Sequence, residues 1–191
     1  MPFDFVGVYQ IIVGNRNEPS VSRFMSLVID ECNVSLPSQE WDLFRTLDYD
    51  GESSALSAHV VDVITKEPPT IEIKGFWFGI NNPVLDSDKV ISALYFSGSP
   101  EYDPSESNID WAVNAKYFPN ESYFESQILA DIYDIAYERS NLGNSAEWAL
   151  CLAYGMKLAQ IAMFKYRESY SGVSVGYAVG FDSGDIINMG A

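Results

Sequence analysis

Residues 3–13 gather Phe, Val, Tyr and Ile into a run closed by Gly14-Asn15, a pattern that predicts an opening β-strand. From Val21 the period changes. Val21, Phe24, Met25, Val28, Ile29 and Cys32 recur at helical spacing, Pro19 close behind Asn17 suits a first turn, and Ser22, Arg23, Ser26 and Asp30 occupy the opposite face. Residues 38–47 predict a short helix with Trp41, Phe44 and Leu47 turned inward, followed by the acidic turn Asp48-Tyr49-Asp50-Gly51-Glu52. In residues 53–66, Leu56, Val60 and Ile64 have helical spacing while the run from His59 to Ile64 also suits a strand; helix is preferred, with Pro68-Pro69 as its stop.

Three strands are expected next, over 70–80, 89–97 and 110–118, separated by Asn81-Asn82-Pro83 and by the polar stretch 98–108. Two long helices follow. Asn120 is placed to cap the first, with Phe124, Ile128, Ile132, Ile135 and Ala136 as its apolar face, and Asn144 with Glu147 resembles a capping box for the second. Residues 173–181, the turn Asp182-Ser183-Gly184-Asp185 and residues 186–189 read as a hairpin. This order predicts one α+β domain over residues 1–191: a largely antiparallel sheet packed against N-terminal helices and two long C-terminal helices, closing with the hairpin. There is no repeat, low-complexity tract or long linker.

Composition changes the picture in one respect. Hydrophobic residues make up 47% of the chain and aromatics 14%, enough for a folded core, yet the net charge is −16. Such a surface is repelled by phosphate backbones and anionic lipid headgroups, so neither nucleic acid nor membrane is an expected partner. The partners favoured are cationic: a basic protein, a metal ion or a positively charged small molecule. Cys32 and Cys151 lack CxxC spacing or a neighbouring His and read as small core residues. Residues 1–5 lack the features of a signal peptide, and residues 148–164 are interrupted by Lys157 and Gln160, so a buried helix and a cytoplasmic location are expected.

Candidate chemistry is sparse. Gly172-Val173-Ser174-Val175-Gly176 matches the GxSxG of a nucleophile elbow, but a helix precedes it, a strand follows it, and the single histidine, His59, comes earlier in the chain. One histidine and two cysteines are too few for a zinc site. Asp48, Asp50 and Glu52, or Asp86 and Asp88, alternate as calcium or magnesium ligands could, although Gly51 stands fourth from Asp48, where an EF-hand places its glycine sixth. Paired carboxylates in an aromatic cleft, with Trp77 and Trp111 as walls, would suit a glycosidase. No catalytic residue, metal or cofactor is assigned from these patterns.

The acid is unevenly distributed. Residues 86–138 hold eleven carboxylates against Lys89 and Lys116, a net of −9 out of −16. Gln127, Asp131, Asp134 and Glu138 follow helical spacing, and like charges so placed cost roughly a few tenths of a kcal/mol per pair, a strain that a cationic partner would relieve. Glu101, Asp103 and Glu106 of the preceding loop, with Asp131, Asp134 and Glu138 of this helix, are therefore the candidate partner-binding residues.

The closing stretch Val175-Gly176-Tyr177-Ala178-Val179-Gly180-Phe181-Asp182-Ser183-Gly184-Asp185, in an acidic single domain, resembles the small bacterial immunity proteins of toxin–immunity systems. The resemblance implies an inhibitor that occludes a basic, toxin-like protein and performs no chemistry of its own. Two alternatives stand beside it: a hydrolase with a carboxylate or carboxylate-metal site, and a structural or assembly subunit whose strands and final hairpin pair with another copy.

Overall fold

The computed structural model of the chain describes residues 2–86, 89–105, 110–170, 174–182 and 184–190. Its first element departs from the hydrophobic pattern: Phe5–Gly14 is a helix, α1, where a strand was expected. The Asp4 carboxylate caps it by accepting the Gly7 N–H at 3.0 Å. The buried positions Val8 and Ile12 are four residues apart, so burial along a helical stripe overrides the strand preference of the β-branched and aromatic residues around them. Val21–Ser35 (α2) follows as expected, with the Ser20 hydroxyl accepting the Arg23 N–H. A 3-10 helix over Gln39–Thr46 buries Trp41 and Phe44, and Ser53–Lys66 (α3) resolves the ambiguous stretch as a helix.

The described residues build a five-stranded sheet. Gly75–Asp86 (β1) and Lys89–Ser99 (β2) form an antiparallel pair. Where a third long strand was expected over 110–118, Asp110–Val113 is instead a short helix, α4, and Tyr117 makes an isolated bridge to Gly98. Trp111 and Ala112 are buried against Trp77 and Ala178, so this segment covers a face of the sheet and does not extend its edge. The edge belongs to Tyr123–Glu125 (β3), which pairs with residues 93–95 of β2.

Phe124 thus lies in a strand and not on the following helix. Gln127–Asp134 (α5) starts after Ser126, whose hydroxyl accepts the Leu129 N–H, and it runs into a π-helical turn over Ile135–Arg139. Asn120, the expected cap, binds Glu67 instead through its backbone and side-chain N–H groups. Asn144–Ser169 (α6) begins after Gly143 at φ 48° with no side-chain cap, because Glu147 accepts the Tyr137 hydroxyl rather than reaching back along the helix. Gly176–Phe181 (β4) and Ile186–Gly190 (β5) form the expected hairpin, completing the order β3-β2-β1-β4-β5. Only β1 and β4 run parallel.

Helix α6 is buried around most of its circumference, with Ala149, Leu150, Leu152, Ala153, Tyr154, Met156 and Leu158 all fully enclosed. Even Lys157 is buried. Its ammonium donates to the carbonyls of Arg16 and Glu18 and to Gln160 Oε1, and lies 4.8 Å from the centre of the Phe24 ring. Cys32 and Cys151 are free and buried in the core; burial lowers the pKa of Lys157 and raises those of the two thiols. Among the described residues no helix is long and apolar enough to cross a membrane.

The acidic turn 48–52 serves helix starts. Asp50 accepts both the hydroxyl and the N–H of Ser22, in the first turn of α2. Glu52 reaches the start of α5, accepting the Ser126 hydroxyl at 2.6 Å and the N–H groups of Gln127 and Ile128 at 2.5 and 3.3 Å. A carboxylate there satisfies orphan donors and complements the helix dipole. Glu52→Ala is expected to cost about 1–3 kcal/mol, the scale of hydrogen bonds to a charged group, read as a lower urea midpoint at unchanged slope.

Burial also pushes the phenols of Tyr117 and Tyr177 up to about 12, and raises those of Tyr49 and Tyr154. Their folded values exceed the ordinary value of about 10, so the stability they contribute is complete below pH 10 and is lost as the pH rises through 12. Urea midpoints measured across that interval should fall, with phenolate absorbance appearing together with unfolding.

Candidate functional site

The two faces of the sheet differ in kind. Phe76, Phe78 and Ile80 of β1 turn toward the helices, with Phe76 packed 5.2 Å from Tyr166 of α6, while Gly75, Trp77 and Gly79 alternate onto the other face. The parallel register sets Gly75 beside Gly176, Trp77 beside Ala178 and Gly79 beside Gly180, so this second face is floored by small residues. Aromatic rings use the space. A Cβ at Gly79 would collide with the ring of Tyr95, and one at Gly176 with that of Tyr102.

The stretch after β2, described over residues 100–105 and 110–118 and called the crossing segment, packs on this face through Tyr102, Trp111 and Ala112. Tyr102 donates from its hydroxyl to Asn188 Oδ1 at 2.5 Å, and Asn188 in turn donates to the Asp103 carbonyl at 3.1 Å, tying the crossing segment to β5. Trp111 stands against Tyr102 at 5.1 Å, and both pack with Trp77 and Ala178.

Beside this cluster a cavity of about 300 Å³ opens, with Trp77 and Tyr95 contributed by the sheet, Val113 and Phe118 by the crossing segment, and Asp182 and Ile186 by the hairpin. A hydrogen-bond relay runs through it: Trp77 Nε1 donates to the Tyr95 hydroxyl at 3.1 Å, and that hydroxyl donates to Asp182 Oδ1 at 2.5 Å. Burial, and next the bond to Asp182, raise the pKa of Tyr95, so its phenol stays protonated and remains the donor. Around the cavity, side chains that a folded core would claim are open to solvent: Val113 is 74% exposed, Phe118 53% and Tyr123 48%. Tyr95, Phe118 and Tyr123 form a triangle of rings with centroids 5.2 to 6.2 Å apart.

No family model, curated protein or solved structure matches this chain. The chemistry of the site therefore stands on its geometry. Asp182 is the one carboxylate among the cavity's described lining residues, and a glycosidase needs two. Trp77 lines the cavity as expected of an aromatic wall, while Trp111 packs behind it.

The residues singled out from the sequence are dispersed. Glu101, exposed, and Asp103, half-buried, flank Tyr102 on the crossing segment; Glu106 lies outside the described residues. Asp131 accepts Gln127 Nε2 at 2.7 Å, and Asp134 faces Arg139 at 4.0 Å. Both lie on α5, whose Ile128, Leu129 and Ile132 join the core on the helical side of the sheet. Glu138, exposed, belongs to the π-helical turn that follows α5. The loop acids and the helix acids thus belong to opposite sides of the sheet.

Other candidates fall elsewhere. His59 sits half-buried on α3 with its ring 5.7 Å from Phe124. Ser174 is exposed between α6 and β4, and Gly172 and Val173 of its motif lie outside the described residues, as does Asp88. Among the described residues no three His, Cys, Asp or Glu converge as metal ligands.

Gly79→Ala tests how the site is held. The new methyl must displace the Tyr95 ring, which breaks the relay to Asp182; overpacking of this kind costs about 1–3 kcal/mol. The expected result is a lower unfolding midpoint together with a shifted indole N–H resonance of Trp77.

Proposed function

We propose that this chain is an acidic binding protein that occludes a basic protein partner, an inhibitor of the immunity type with no chemistry of its own. The observation that carries the reading is the exposed patch of Val113, Phe118 and Tyr123 around a cavity edged by Asp182. Large apolar side chains grouped in solvent on one face mark a surface that a partner covers, and aromatic residues are the side chains that most often anchor such contacts. The charge of the chain selects the partner. With 27 Asp and Glu against 11 Lys and Arg, a basic surface is attracted from a distance and an acidic one is repelled.

The carboxylates divide the work in this reading. Glu101 and Asp103 lie on the segment that crosses the same face of the sheet as the patch, and belong to the docking surface. Asp131, Asp134 and Glu138 lie on the helical side and add to the long-range field. Ion pairs already hold Glu18, Asp30, Asp42, Asp62, Asp134 and Glu168 within the chain, and all except Glu18 pair near the surface, where each is worth about 0–1 kcal/mol and yields readily to a competitor.

The test is capture on the immobilised chain from extract of its own cell, followed by purification of the captured protein. Its association rate is then measured at about 0.05 M and about 0.3 M salt, which bracket a Debye length of about 10 Å. A basic partner whose rate falls at least about tenfold across that interval supports the reading. If no basic protein is captured, or if the rate ignores salt, the reading is overturned.

A further inference from the structure

The cavity over Trp77 and Tyr95 holds more than an apolar anchor requires. Three of its polar groups form a series: the Trp77 N–H is spent on the Tyr95 oxygen, and the Tyr95 proton is spent on Asp182 Oδ1, while Ser97 also lines the cavity. What the relay leaves over is acceptor capacity, on a carboxylate whose side chain forms no ion pair among the described residues. The relay also holds one oxygen of this exposed carboxylate against Tyr95, whose ring rests in the space above Gly79. A preorganised anion beside aromatic walls is complementary to a cation, since the ring faces carry negative charge as well.

Three observations narrow the cation. No Lys or Arg is among the described residues that line the cavity. The volume, about 300 Å³, is at the lower bound for small-molecule sites and suits one side chain better than a larger ligand. The walls include the rings of Trp77, Tyr95 and Phe118, against which a planar, weakly hydrated guanidinium packs better than a compact, strongly hydrated ammonium. We infer that this cavity is a seat for one arginine side chain projected by the basic partner, with the guanidinium among the rings of Trp77, Tyr95 and Phe118 and paired with Asp182. The source of the arginine rests on the docking reading above; the preference for a guanidinium does not.

The experiment separates the two. N-acetyl-arginine methylamide is titrated into the intact chain, alongside the citrulline analogue, which keeps the shape and loses the charge, and the lysine analogue. Binding is read from the indole N–H resonance of Trp77, assigned as the signal missing from Trp77→Phe. The arginine probe should give a saturable shift with a Kd on the order of 1 mM, as expected of one side chain without its protein. The citrulline and lysine analogues should bind at least about tenfold more weakly, and Asp182→Asn should lose the arginine response to the same degree.

Equal binding of arginine and citrulline by the unmodified chain, or no saturable shift at all, overturns the inference without relying on any variant's fold. Arginine binding that survives Asp182→Asn overturns it as well. A salt-dependent basic partner combined with no arginine response removes the seat and keeps the docking reading; an arginine response with no basic partner does the reverse.

Discussion

The constraint on which this structure rests is the enclosure of α6. A helix buried around most of its surface must be covered from several directions at once, and here α2 and α3 cover it on one side while β1 and β4 cover it on the other. Lys157 shows how closely the layers meet, since its charge is held by the carbonyls that end α1 and lead into α2. The helical face of the sheet is thereby committed to the core. The opposite face, with its glycines at 75, 79, 176 and 180, is covered among the described residues by the crossing segment, and it is there that a cavity and exposed rings remain.

The negative charge has two separate uses. Asp4, Asp50, Glu52 and Glu67 accept backbone or side-chain N–H groups at the starts of helices and turns, where they organise the chain internally. Glu40 holds Asn141 in the same way, and Asp185 accepts the Trp148 indole N–H. The sum of −16 sets the long-range field, but it does not say which carboxylates are held in place by the chain's own donors and which are free to turn toward a partner.

Much of the fold was legible in the sequence, for reasons that differ by element. The apolar positions of α2 have a clear helical period, the spacing of Leu56, Val60 and Ile64 decides α3 against a competing strand pattern, and β1, β2 and the hairpin stand out as apolar runs, although β1 continues through Asn81-Asn82-Pro83, where a break was expected. Helix α1 was misread because its Phe, Val, Tyr and Ile content favours a strand and only the spacing of Val8 and Ile12 marks it as helical. Residues 110–118 were misread because Trp111 and Tyr117 are buried by the sheet's face and edge, partners that no local pattern reveals. The site was less legible still. Its walls come from β1, β2, the crossing segment and the hairpin, and the one local signal was glycine at every fourth position in two strands, which leaves a single face bare.

The parallel pairing of β1 with β4 has a consequence for the order in which the molecule is assembled. Gly75 meets Gly176 across about a hundred intervening residues, and the loop entropy of that closure must be met before the contact stabilises anything. Until β4 arrives, β1 presents an edge of unpaired N–H and C=O groups, with Phe76, Phe78 and Ile80 on one face beside it, a template for pairing with other chains. Newly made copies are thus most vulnerable to aggregation in the interval between synthesis of the first hairpin and synthesis of the last, and a chaperone that shields strand edges would be the helper best matched to that window.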